Sequence, residues 1–338
     1  MTAPLARRAL GRSGLEVSRL GLGLAAVGRP GYITLGRDRD LPTARTPAVL
    51  ATRTAEICDA AWASGVRYFD AARSYGRAEE FLASWLAERT IEPAAVTVGS
   101  KWGYRYTAGW SVDAPVHEEK DLTLGRFATQ LPESRALLGS QLDLYQIHSA
   151  TAESGCLEDT RLLAALVSAR RSGACRALGL SLSGPTSDRA LELALAARVD
   201  GERVFDAVQA TVNVLEPSLL PLLASASAEG LGVIAKEVHA NGRLTDANPR
   251  PEDAALVARL RALASDADGA SVADLALAFV LAHPQIDVAL SGAATTAQLA
   301  SHVAAAGRKL GPGALEALAP LAEPRAAYWQ TRGRLPWT

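Results

Sequence analysis

The chain is poor in the residues that announce metal sites, disulfide frameworks or membrane spans. Only three cysteines occur in 338 residues, Cys58, Cys156 and Cys175. They are odd in number and far apart, with no CxxC pair and no Cys/His ligand spacing. That argues against a disulfide-stapled scaffold and a structural zinc site, and it is the usage of reduced thiols in a cytosolic protein. Charge of one sign is also missing, since 35 basic and 36 acidic residues leave a formal net charge of −1. A nucleic-acid binder normally carries a basic domain or stripe, so no nucleic-acid partner is expected. No apolar run approaches the ~20 residues that span a bilayer; LALAFVLA at 275–282 is far too short. The N-terminal MTAPLARRALGRSG has basic residues but no apolar core behind them, unlike a secretory signal. The expectation is a soluble cytoplasmic globular protein, without membrane partner and with no signal for an oligomeric state.

What is present is 49% hydrophobic and strongly patterned. Short runs rich in Val, Ile and Leu fall at 17–25, 66–72, 96–102, 142–149, 177–183, 206–213, 232–238 and 288–293. Stretches of helical period separate them, and several close on glycine, as in SGV (64–66), SGA (172–174) and EGLG (229–232). Strands that are apolar almost throughout and alternate with helices imply a parallel sheet covered by helices. Eight such units over roughly 300 residues fit a (β/α)8 TIM barrel better than an open sheet. A β-hairpin in RRALGRSGLEV (7–17) precedes the first strand and is expected to plug the barrel bottom. No linker, repeat or low-complexity tract intervenes, so one domain is expected over 1–338. The tail from about 311 to 338 would lie over the barrel.

One motif is set aside. GLGLAA (21–26) matches a loose G-x-G-x-x-G/A fingerprint, but no helix follows it. A dinucleotide fingerprint needs that helix for the pyrophosphate and an acidic residue about 20 positions on. Close backbone packing of a barrel strand explains these glycines better.

In a β/α barrel the polar residues just past the strand C-termini converge on one face. Here they are Asp70 and Tyr75 after strand two, Lys101 at strand three, His148 at strand four, and Ser181 and Ser183 at strand five. Gln209 and Asn213 follow on strand six, Lys236 and Glu237 on strand seven. A buried strand lysine needs a carboxylate partner, and Asp70 is placed to pair with Lys101. A lysine near Tyr75 should lower the pKa of the phenol and make it a better proton donor and acceptor. His148 can polarise a substrate oxygen as a neutral donor. Taken singly, Asp70 reads as a turn residue, Tyr75 as a packed aromatic and His148 as a core histidine. Lys101 is the hardest to explain away. His117 and Glu118 in VHEEK read as a solvated charge run, and no metal is expected.

Jointly, these residues resemble the catalytic tetrad of the aldo-keto reductases. FDAARSYG supplies Asp70 and Tyr75, VGSKWG supplies Lys101 and DLYQIH supplies His148. LGRSGLEVSRLGLG (10–23) resembles the family's opening hairpin and first strand, and SGAATTAQL (291–299) its last βα unit. The resemblance implies NADP(H), with NAD(H) as the other candidate, held without a Rossmann fold. It assigns cofactor contacts to Ser181, Gln209, Lys236, Gly242, Gly292, Thr295 and Gln298. The aromatic loop WGYRYTAGW would give a substrate pocket of Trp102, Tyr104 and Trp110.

The chain also departs from the family. Leu182 stands where Asn is usual, Val212 where a ring-stacking Tyr is, and KEVH (236–239) replaces a Tyr-Ser-Pro-Leu run. Lys236 and Glu237 are thus expected as an ion pair near the pyrophosphate. Ala294 stands where an Arg often clamps a 2′-phosphate, so discrimination between the two cofactors should be weak. The implied activity is reduction of a small aldehyde or ketone, with Tyr75 giving the proton. The alternatives are an aldose dehydrogenase and a cofactor-binding regulatory barrel.

Overall fold

The computed structural model describes residues 5–266 and 270–338. Eight parallel strands form a closed barrel, each hydrogen-bonded to its sequence neighbours, with the last closing on the first. They are β1 (Leu20–Gly23), β2 (Tyr68–Asp70), β3 (Thr97–Trp102), β4 (Leu144–Ala150), β5 (Ala177–Leu182), β6 (Ala207–Thr211), β7 (Gly232–Lys236) and β8 (Val288–Ser291). Between them run α1 (Pro47–Ala63), α2 (Ala78–Glu88), α3 (Leu124–Leu138), α4 (Thr160–Arg171), α5 (Ser187–Ala196), α6 (Leu220–Ala228), then α7 (Ala254–Asp266) and α8 (Val272–Leu281). After β8 come α9 (Thr296–Ala306), α10 (Pro312–Leu318) and α11 (Arg325–Gly333). This is the expected (β/α)8 barrel.

Helix starts follow from their caps. Thr46, Thr123 and Thr295 each accept a backbone N–H three residues on, and Ser271 forms a reciprocal capping box with Asp274. Gly65, Gly173 and Gly230 end helical segments with φ of 88°, 74° and 93°, a conformation that costs glycine little.

Alternation along each strand sorts side chains into two cores. Outward residues such as Val98, Leu180, Val208 and Val233 pack under the helices. Inward ones divide by height. At the bottom the hairpin (Arg7–Ala9 with Glu16–Ser18) inserts Leu10, Leu15 and Val17 among Leu144, Ala177, Ala207, Ile234 and Val288. A Cβ on Gly21 would approach Tyr68 at 2.8 Å and Val288 at 2.9 Å. Close packing is therefore what GLGLAA encodes. One layer higher the inward residues become polar, with Gln146 and Gln209 both buried.

Candidate active site

The uppermost inward layer brings Asp70, Lys101, His148, Ser181, Thr211 and Lys236 together from β2 to β7. Each lies an even number of residues above an inward apolar or glycine position on its own strand. Lys101, fully buried, pairs with Asp70 and also donates to Ala71 O at 3.0 Å. Asp70 Oδ1 further accepts from Gln209 Nε2 at 2.9 Å and Tyr68 Oη at 3.2 Å. Gly99 makes this arrangement possible, because a Cβ there would lie 2.5 Å from Tyr68 Oη, one of the donors to Asp70. Tyr75 follows on the β2–α2 turn, with Lys101 Nζ 4.9 Å from its ring centroid. The His148 ring packs edge-on to it at 5.4 Å.

The electrostatics correct one expectation. The Tyr75 phenol is pushed well above its ordinary pKa rather than lowered, by burial first and by Asp70 second, with Arg29 opposing. Lys101 does not prevail because Asp70 offsets its charge at close range. His148 is held far below the ordinary range by burial and then by Lys101 and Arg29, so its imidazole is neutral. Ser149, immediately after it, sits at φ 52°, an uncommon conformation for a non-glycine residue, and its N–H donates to Ser181 Oγ at 2.8 Å.

The remaining assigned residues divide. Of the three pocket aromatics, Tyr104 borders the site, its ring 4.9 Å from that of His148. Trp102 does not: one residue past Lys101 it faces the opposite way, fully buried against Phe127 of α3 at 5.1 Å. Trp110 packs edge-on to Phe81 of α2 and donates to Arg45 O at 2.6 Å. Thr295 caps α9, and Gln298 donates to Asp40 Oδ2 at 2.8 Å while accepting from Ala294 N. Gly292 has open space where a Cβ would be, whereas Gly242, at φ 91°, lies 2.8 Å from Leu35 O by the same measure. Lys236 points into the mouth, donating to Thr211 Oγ1 at 2.8 Å and Ser183 Oγ at 3.3 Å. Glu237 lies 3.8 Å from it, but its tighter partner is Arg332 of α11 at 2.7 Å. Leu182 and Val212 are buried in the outer core.

Sequence reasoning missed the residues that close the mouth. Buried Arg29 donates to Ser74 O at 2.9 Å, pairs with Glu118 at 2.7 Å and lies 5.2 Å from the Tyr75 ring centroid. His117 stacks on Trp337 at 3.9 Å. His117 and Glu118 are therefore packed at the mouth rather than solvated, while Val116, Glu119 and Lys120 beside them are exposed. Arg37, also buried, holds the chain end through Thr338 O at 2.8 Å. Tyr328 accepts from Asn213 Nδ2 at 3.0 Å.

Comparison with known proteins agrees with this fold. The model of the aldo/keto reductase family matches residues 31–319. L-Galactose dehydrogenase of Arabidopsis thaliana is 28% identical over 309 residues, covering 88% of this chain and 87% of its own. Pyridoxal 4-dehydrogenase of Microbacterium luteolum is 29% identical over 163 residues, 42% of each chain. An aldo-keto reductase from Bacillus halodurans, solved in its holo form, has the same fold. It superposes with a TM-score of 0.71 at 21% identity, over 94% of this chain and 97% of that one. No helix among the described residues is long and apolar enough to cross a membrane, and no cluster there could hold a metal ion. Barrel, mouth and family match agree: the chain belongs to the aldo/keto reductase family and is a carbonyl oxidoreductase of that family.

Proposed function

We propose that the protein interconverts a small-molecule carbonyl and its alcohol with a nicotinamide cofactor, using Asp70, Tyr75, Lys101 and His148. The observation that carries this reading is their convergence at one barrel mouth, with Lys101 and His148 both flanking Tyr75. Tyr75 stands between these two groups at the mouth, where its hydroxyl can meet a substrate oxygen. Raised as it is, the phenol keeps its proton at neutral pH, as a general acid must. Neutral His148 donates a hydrogen bond to the same oxygen, and Asp70 holds Lys101 against the Tyr75 ring. The nicotinamide supplies or accepts the hydride.

The residues present fit a nicotinamide dinucleotide. Space opens beside Gly292, α9 presents its N-terminus, and Asn241 Oδ1 is a buried acceptor without a partner. Asp40 beside Gln298 puts negative charge near the position of the missing arginine. That charge works against a 2′-phosphate, so NAD(H) should bind at least as well as NADP(H). Three buried free cysteines support a cytoplasmic setting.

The names of the two curated relatives favour oxidation of one substrate class. Galactose and pyridoxal are both aldehydes with an internal hydroxyl that closes them into cyclic hemiacetals. Loss of hydride from such a ring carbon, with the hydroxyl proton passing to Tyr75 after the phenol has released its own, gives a lactone; the raised phenol therefore makes oxidation faster as pH rises. A panel of aldoses, hydroxy-aldehydes and simple carbonyls, followed by absorbance of the reduced cofactor, tests both directions. Tyr75→Phe should lower turnover about 10²–10⁴-fold with cofactor binding retained. Wild-type turnover in that variant, or no absorbance change across the panel, would refute the reading.

A further inference from the structure

We propose that Lys236 sets which redox form of the cofactor the protein prefers, favouring the reduced form; this rests on the nicotinamide reading above. On β7 the inward positions are Gly232, Ile234 and Lys236, so its ammonium tops an otherwise apolar strand face. It is fastened across the mouth through Thr211 of β6 and Ser183 beyond β5, and Ser183 in turn accepts from Ser149 at 3.3 Å. It also acts on the catalytic residues, since Lys101 and Asp70 both influence it and it helps keep His148 neutral.

Its compensation is incomplete. The carboxylate beside it, Glu237, is already taken by Arg332 at 2.7 and 3.2 Å. The charged groups that bear on Lys236 are Glu237, Arg332, Lys101 and Asp70, while His148 is uncharged. Three cations with two carboxylates leave one positive charge in excess.

Hydride transfer requires the nicotinamide ring to lie within bonding reach of the carbon whose oxygen Tyr75 serves, so the ring enters this mouth. The oxidised ring is a pyridinium cation and the reduced ring is neutral. Excess positive charge therefore disfavours the oxidised form and leaves the reduced one nearly untouched. The consequence for reaction is a stronger hydride acceptor. When the C–H electron pair leaves an alcohol with its hydrogen and the O–H proton goes to the phenolate of Tyr75, the ring would lose the charge that Lys236 opposes. Burial lowers Lys236 to about 8, against the pull of Glu237, so the cation is present at neutral pH and lost above that value.

Titration calorimetry with NAD⁺ and with NADH, without substrate, tests this in wild type, Lys236→Met and Lys236→Arg. In wild type the ratio of oxidised to reduced Kd should fall about tenfold between about pH 6.5 and about pH 9.5. Lys236→Met should show the low ratio at both values. Lys236→Arg should keep the high ratio at both, because a guanidinium does not deprotonate there. A wild-type ratio in Lys236→Met at the lower pH would overturn the proposal, as would an arginine variant that follows wild type at the higher. If wild type binds neither nucleotide, the nicotinamide reading falls and this inference with it. Binding intact with equal ratios in all three proteins refutes only the role of Lys236.

Discussion

The two ends of the barrel use charge in opposite ways. At the bottom the interior is apolar and the charges sit on the rim in self-contained pairs. Asp143, Asp206 and Asp287, each just before an even-numbered strand, accept the N–H of Val98, Leu178 and Val233 at 2.8–2.9 Å. Arg176, Arg170 and Arg8 neutralise them in turn. At the mouth the charges point inward and share partners: Asp70 serves Lys101, Gln209 and Tyr68, and Glu237 serves Arg332, Thr211 and Lys236. A satisfied rim closes the barrel, whereas an interior that burial alone would neutralise holds charged groups ready for a reaction.

The largest effect should come from breaking the mouth's central pair. Lys101→Met leaves Asp70 as a buried carboxylate without its cation, which costs about 3–5 kcal/mol. It also removes the group beside Tyr75, so turnover should fall with stability. Chemical denaturation and turnover should both register the change, and a variant as stable as wild type would mean that Asp70 takes up a proton instead. Leu10→Ala probes the other end. The side chain is fully buried in the plug, and its loss should cost about 2–5 kcal/mol in denaturation. Turnover of the remaining folded protein should stay at wild type; a matching loss of turnover would mean that the two ends are coupled.

The same contrast explains how much the sequence reveals. The strands are legible because apolar runs ending at polar residues mark both the barrel and its mouth; 232–238 was expected and Gly232–Lys236 is observed. LGRFATQLPESRALL forms α3 residue for residue. The meeting of Asp70, Tyr75, Lys101 and His148 at one mouth is legible because strand ends in a closed barrel converge. Trp102 was misplaced although the alternation that points Lys101 inward also points its neighbour outward. The rim aspartates left a signal too, an apolar-Asp pair opening strands four, six and eight as LD, FD and ID. Arg29, Glu118 and Arg332 were not legible, because their partners are distant in sequence and meet only when loop and tail fold over the mouth. The pKa of Tyr75 was misjudged for a related reason: it depends on how fully the mouth is buried.

Acid titration should separate the two ends most finely. Burial opposes ionisation of Glu237, but Arg332 and Lys236 prevail and hold it down at about 2, below its unfolded value of 4.5. Its stabilising contribution is therefore complete above 4.5 and lost as pH falls toward about 2, with a slope of up to about 1.4 kcal/mol per pH unit. Asp287 at the bottom has the opposite sign, because burial raises its carboxyl above the unfolded value. As pH falls the folded state takes up that proton first, which offsets part of the acid loss. Glu237→Gln should thus flatten the fall of stability below pH 4.5, while Asp287→Asn should steepen it. Denaturant midpoints measured across the acid range decide this, and the same change of slope in both variants would remove the distinction between rim and mouth.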